Sequence, residues 1–196
     1  TADPVPGYEF TGWTGALSGS DNPAYITMNS YKSVCAVFKP LVSFVGGGGQ
    51  VTEGLGRTVW VKLSAPSQST VTVNCSVTGG TASGGGVDYS FSSGTLTFAP
   101  GATFASRYLD ITYDFVNDSW ETIEVSLSNP VNAVLGLTTM NSFTIIEMSP
   151  DSVSFSSASS TIAESDGTAI LPLNIYSENG FWLLVSYSVT GTTTPD

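Results

Sequence analysis

Apolar residues fall on every second position in six separate stretches of this chain. That period suits extended strand and not helix. Residues 57–64 set Val59, Val61 and Leu63 on one face, and residues 69–77 do the same with Val71, Val73, Cys75 and Val77. Leu96 and Phe98 alternate within 95–98, and Leu109 and Ile111 within 108–112. Ile123, Val125 and Leu127 follow within 122–128, then Phe143 and Ile145 within 142–146. Clusters of Gly, Pro, Asn and Asp separate the stretches, as turns require. Short strands so spaced predict an all-β chain built as an antiparallel β-sandwich.

Charge excludes several functions. Five Lys+Arg stand against 16 Asp+Glu, a net charge of −11, and there is no histidine. A Ser-His-Asp triad, a Cys-His pair and His-ligated zinc are therefore absent. No basic stripe exists to hold phosphates, so no nucleic acid is expected as a partner. Anionic membrane surfaces would repel the chain. The longest informative apolar run is Phe181–Val185, far short of the ~18 residues of a bilayer span, so direct membrane insertion is not expected. No nucleophile has a base beside it, and no carboxylate spacing suggests a glycosidase pair. The chain is not expected to be an enzyme.

The remaining features have plainer readings. Cys35 and Cys75 do not make a disulfide framework. Cys75 shares the register of its neighbouring valines and reads as a buried small hydrophobe. Tyr8 and Phe10 share a face and, with Trp13, suit the core of a small β unit better than a sugar-stacking surface. Trp60 faces away from Val59 and Val61, beside Lys62, and is the exposed candidate. Gly46–Gly49 has no Lys and precedes no helix; it reads as a bend within an edge strand. Glu121 and Glu124 lie three apart in a strand and point to opposite faces, so they cannot work as a pair.

The sequence also repeats itself. Val42-Ser-Phe44 recurs as Val153-Ser-Phe155, Glu53 matches Glu164, and Ser76-Val-Thr-Gly79 recurs as Ser188-Val-Thr-Gly191. The first copy runs to about Glu147, and the second stops at Asp196, before its second half. Residues 1–40 match neither copy. Boundaries are expected at Lys39-Pro40 and at 148–151, because Pro40 and Pro150 cannot continue a ladder. The expected domains are thus 1–40, 41–150 and 151–196.

The first copy resembles a Calx-beta domain. The resemblance rests on Val42-Ser-Phe44, Val51-Thr-Glu53-Gly54, Ser76–Ala82, Asp88-Tyr89, Gly94–Gly101, Val125–Pro130, Ala133–Gly136 and Phe143–Ile146, in the expected order over residues 41–147. It implies an immunoglobulin-like sandwich, followed by a truncated second Calx-beta repeat. Residues 1–40, with Gly7-Tyr-Glu-Phe10, Gly12-Trp13 and Lys32–Phe38, resemble the end of a Listeria–Bacteroides-type bacterial surface repeat. Together these imply a piece of a multidomain bacterial protein, extracellular or at the cell surface, cut inside a domain at both ends.

Calx-beta domains of sodium–calcium exchangers bind Ca²⁺ at one end of the sandwich. Ca²⁺ takes six to eight oxygens, with carboxylates among them to offset its charge. Carrying the family positions over one by one leaves Glu53, Asp88, Asp114, Asp118 and Glu147. Tyr113 replaces one acid of a pair, Asp118 stands in place of a Glu, and Met148 and Ser149 replace the end of the closing acid run. So thin a ligand set implies weak Ca²⁺ binding. The function implied is a non-catalytic structural or adhesion segment whose partners are neighbouring domains of its own chain. The alternative is a carbohydrate- or protein-binding accessory module of a secreted enzyme, with Trp60 or Trp13 contacting a polysaccharide or surface protein.

Overall fold

The computed structural model describes residues 1–114, 120–146, 152–157, 170, 172–176, 185–186 and 188. The chain forms two compact units, Thr1–Glu147 and Met148–Asp196. Among the described residues every regular element is a strand. In the first unit these are β1 (Tyr8–Gly15), β2 (Val34–Phe44), β3 (Gly49–Thr52), β4 (Gly56–Leu63), β5 (Val71–Gly80) and β6 (Tyr89–Phe91). They continue with β7 (Gly94–Phe98), β8 (Phe104–Ile111), β9 (Thr122–Val131), β10 (Val134–Leu135) and β11 (Met140–Ile146).

Two sheets stack. One has the order β1-β2-β4-β8-β6 with β10 on β2, and the other β3-β11-β9-β5-β7. The alternating residues supply the core between them. Val59, Val61, Leu63, Val71, Val73, Cys75, Leu96, Phe98, Leu109, Ile111, Ile123, Val125, Leu127, Phe143 and Ile145 are all buried. Each large apolar side chain so buried contributes roughly 1.5–3 kcal/mol. The sandwich follows directly: every strand has one apolar face, and only a second such face can cover it.

The connections sort into two poles. Turn 53–55 and loop 81–88 cross between the sheets at one pole, where β8 and β11 end and β9 begins. Segments 64–70 and 99–103 cross at the other. The chain also changes sheets part-way along. Gly46–Gly49 carries it from β2 to β3, so this run is a crossover between sheets and not a bend within one strand. Gly48 is needed there, because a Cβ would lie 1.6 Å from the Ser142 carbonyl oxygen.

Pro40 does not sit in a linker. It lies inside β2, opposite Tyr8 of β1. Residues 34–40 of β2 pair with β1, and Val42–Phe44 pair with β4. Pro40 stands where the strand changes partners, the position at which a missing N–H disturbs a ladder least. The ribbon of β1 and β2 carries its own aromatic cluster. Phe10 meets Trp13 edge-on at 5.1 Å and Phe38 at 5.8 Å. Trp13 is half-buried and donates Nε1–H to the Asp21 carbonyl at 2.8 Å.

In the second unit, β12 (Ser152–Phe155) pairs antiparallel with β13 (Leu173–Tyr176). Its register echoes the first unit. Val42 faces Leu63 and Phe44 faces Val61 across β2 and β4; Val153 faces Ile175 and Phe155 faces Leu173 across β12 and β13. Phe155 and Leu173 are exposed.

Candidate metal centre

Of the acids that the sequence singles out, Glu53, Asp88 and Asp114 lie on segments at the first-named pole. Glu53 begins the turn after β3. Its N–H donates to the Ile146 carbonyl at 3.1 Å, and the next N–H, Gly54, donates to the Ile111 carbonyl at 3.1 Å. One turn thus ties the ends of β11 and β8 together. Glu53 is 4% exposed and Asp88 8%. A carboxylate so buried requires compensating donors or cations.

Asp88 closes a loop strung between the two sheets. On one side Thr81 and Ala82 donate N–H to the Thr122 carbonyl at 2.9 and 3.1 Å. On the other, Thr112 N–H donates to the Asp88 carbonyl at 2.8 Å. The Asp88 carboxylate accepts the Ser83 N–H at 2.5 Å, and its own N–H donates back to Ser83. That leaves Oδ2 engaged and fixes where the carboxylate points. Burial pushes the neighbouring Tyr89 hydroxyl above its usual pKa, and the Asp88 charge adds to the push.

Asp114 follows two residues after Thr112 and is half-buried at the same pole. Asp118 and Glu147 lie outside the described residues. Among the described residues no three Asp, Glu, Cys or His side chains form a metal-holding group. The donors at the pole are hard oxygens, the type Ca²⁺ prefers. Two of the carboxylates, those of Glu53 and Asp88, are buried.

Arg57 lies four residues after Glu53, but its guanidinium sits 5.5 Å above the Phe143 ring. That contact is cation–π. Phe143 pairs with Gly49, three residues along the ladder from the Ile146 end. Sequence reasoning did not single out Trp120. It has a left-handed φ of 72° beside the acidic segment and is exposed. Only a rare backbone conformation betrays it, and such conformations cannot be read from composition.

The Calx-beta domain family profile matches residues 39–150, more than half of the chain. The chain belongs to the Calx-beta family. Residues 1–41 match the divergent InlB B-repeat domain. The sandwich is similar to the crystal structure of the apo-form Calx CBD1 domain, at 25% identity and TM-score 0.50, covering 55% of this chain and 96% of that one. It is also similar to the calcium binding domain CBD12 of CALX1.1, at 24% identity and TM-score 0.50, over 54% of this chain and 44% of that one. The Calx CBD2 domain shares the fold at 15% identity and TM-score 0.51, over 56% of this chain and 88% of that one. No curated protein matches. Calx-beta domains are binding or regulatory modules rather than catalytic ones.

Proposed function

We propose that this Calx-beta domain binds Ca²⁺ weakly at its acidic pole, within a non-catalytic structural and adhesion segment of a bacterial extracellular or cell-surface protein. The observation that carries the reading is the pair of buried carboxylates, Glu53 and Asp88, fixed at one pole of a Calx-beta sandwich. Glu53, Asp88 and Asp114 would hold the ion, joined by Asp118 and Glu147. The InlB-type match at residues 1–41 supports the extracellular setting. The repeated register of β12 and β13 supports a second Calx-beta copy at 151–196. Few ligand charges place the affinity near the ~10⁻⁴–10⁻³ M of extracellular modules.

An ion held there would offset the repulsion among the carboxylates and stiffen the end of the sandwich at which β11 finishes. Thermal unfolding of the full chain tests this. Ca²⁺ at ten times Kd stabilises by about 1.4 kcal/mol, and the melting temperature of a unit this size rises by about 4 °C. Asp114→Ala should shrink that rise. No rise at millimolar Ca²⁺, with wild type and Asp114→Ala alike, would remove the metal from the function.

A further inference from the structure

The outward face of the first sheet carries a line of aromatic rings. Trp60 of β4 is 48% exposed, and Phe104 and Tyr108 of β8 are 59% and 57% exposed. The register sets Trp60 of β4 level with the gap between Phe104 and Tyr108 of β8, diagonal to both. Thr58 faces Tyr108, Trp60 faces Ser106, and Lys62 faces Phe104. Rings therefore alternate with the polar side chains of Thr58, Ser106 and Lys62. Residues 104–108 span about 13 Å of strand, so three rings line a path the length of a short oligomer.

The rings are held for stacking. A Cβ on Gly56 would lie 1.9 Å from the Tyr108 hydroxyl, so the Tyr108 ring lies down over that glycine. One ring face covers backbone, and the other is left to solvent. Trp60 and Phe104 meet at 6.5 Å and 83°, a wall beside a floor. Removing either from the surface costs no core contact.

We propose that this stripe binds an uncharged polysaccharide. Sugar rings offer apolar C–H faces to aromatic rings and hydroxyls to Thr58, Ser106 and Asp110. Charge favours a neutral ligand. The chain carries −11 overall, which disfavours polyanions. Along the stripe, however, Lys62 and Asp110 balance one another. A protein interface would want a dry apolar centre, and here Thr58 and Ser106 stand between the Tyr108 ring and the Trp60–Phe104 pair.

Tryptophan fluorescence and calorimetry of the full chain test the stripe. The probes are neutral hexasaccharides of glucose, xylose, mannose and N-acetylglucosamine, with polygalacturonate as the anionic comparison. At least one neutral probe should bind. Trp60→Ala and Tyr108→Ala should each weaken it about tenfold, the loss of one aromatic contact. Their melting temperatures should stay at the wild-type value, and Trp60→Phe should restore part of the affinity. Three results would overturn the proposal: no neutral probe binds, binding survives Trp60→Ala, or only polygalacturonate binds. Sedimentation showing self-association that Trp60→Ala abolishes would assign the stripe to a second copy instead.

Discussion

The two poles of the sandwich hold the chain by different chemistry. At one, the crossing segments carry Glu53, Asp88 and Asp114. At the other, neutral groups join the ribbon of β1 and β2 to the sandwich. The Ser64 hydroxyl accepts the Leu41 N–H at 2.8 Å and donates to the Gly7 carbonyl at 2.5 Å, and the Tyr8 hydroxyl donates to the Pro66 carbonyl at 2.5 Å. A joint made of hydroxyls and carbonyls is complete in water alone. The acidic pole is tied by backbone amides, Glu53 to Ile146 and Thr112 to Asp88, and it also brings carboxylates, which repel one another, onto neighbouring segments. One sandwich thus has a neutral end and a charged one.

The sharpest way to break this contrast is at Asp88. Asp88→Ala leaves the Ser83 N–H without its acceptor, and should cost about 2 kcal/mol, or about 5 °C in melting temperature. Asp88→Asn keeps an acceptor and should cost less. A smaller effect is expected at the neutral pole. Ser64→Ala should cost about 0.5 kcal/mol, because water replaces the lost partners. Its clearer readout is faster hydrogen exchange at the Leu41 amide. Adding Ca²⁺ should leave that exchange rate unchanged.

Cys75, in the middle of β5, is the control that belongs to neither pole. Burial pushes its thiol up to about 11 from 9.0, with Arg107 pulling slightly the other way. The folded chain therefore keeps the proton after the unfolded chain has lost it. The stability this contributes is whole below pH 9 and falls away as pH rises towards 11. Cys75→Val should remove that part of the alkaline slope and leave neutral stability nearly unchanged. Urea unfolding from pH 8 to 11 measures the difference.

Much of this was legible in the residues. Alternation named the inward face of β4, β5, β7, β8, β9 and β11, because a strand's two faces are fixed by period two. Pro40 was read as a stop, since sequence shows the missing N–H and not the change of partner that makes it harmless. Gly46–Gly49 was read as a bend because a crossover is defined by the sheets on either side of it. At the site, the family motif pointed to Glu53, Asp88 and Asp114, but the burial of Glu53 comes from neighbours brought in by tertiary pairing. Trp60 was visible as exposed. Its alignment with Phe104 and Tyr108 was not, since the register between β4 and β8 is a long-range property.

The pairing of β3 with β11 sets an order of events. Val51 has Ile145 as its parallel neighbour, and the Glu53 amide rests on the Ile146 carbonyl. Within its unit, β11 is the last strand that a ribosome delivers. Until they emerge, Gly49–Thr52 is a bare edge and the Glu53 turn lacks its anchor. Loops closed over so long a stretch of chain form slowly. The acidic end therefore matures only after β11 has emerged, and a product released before that carries its carboxylates without the strand that seats them.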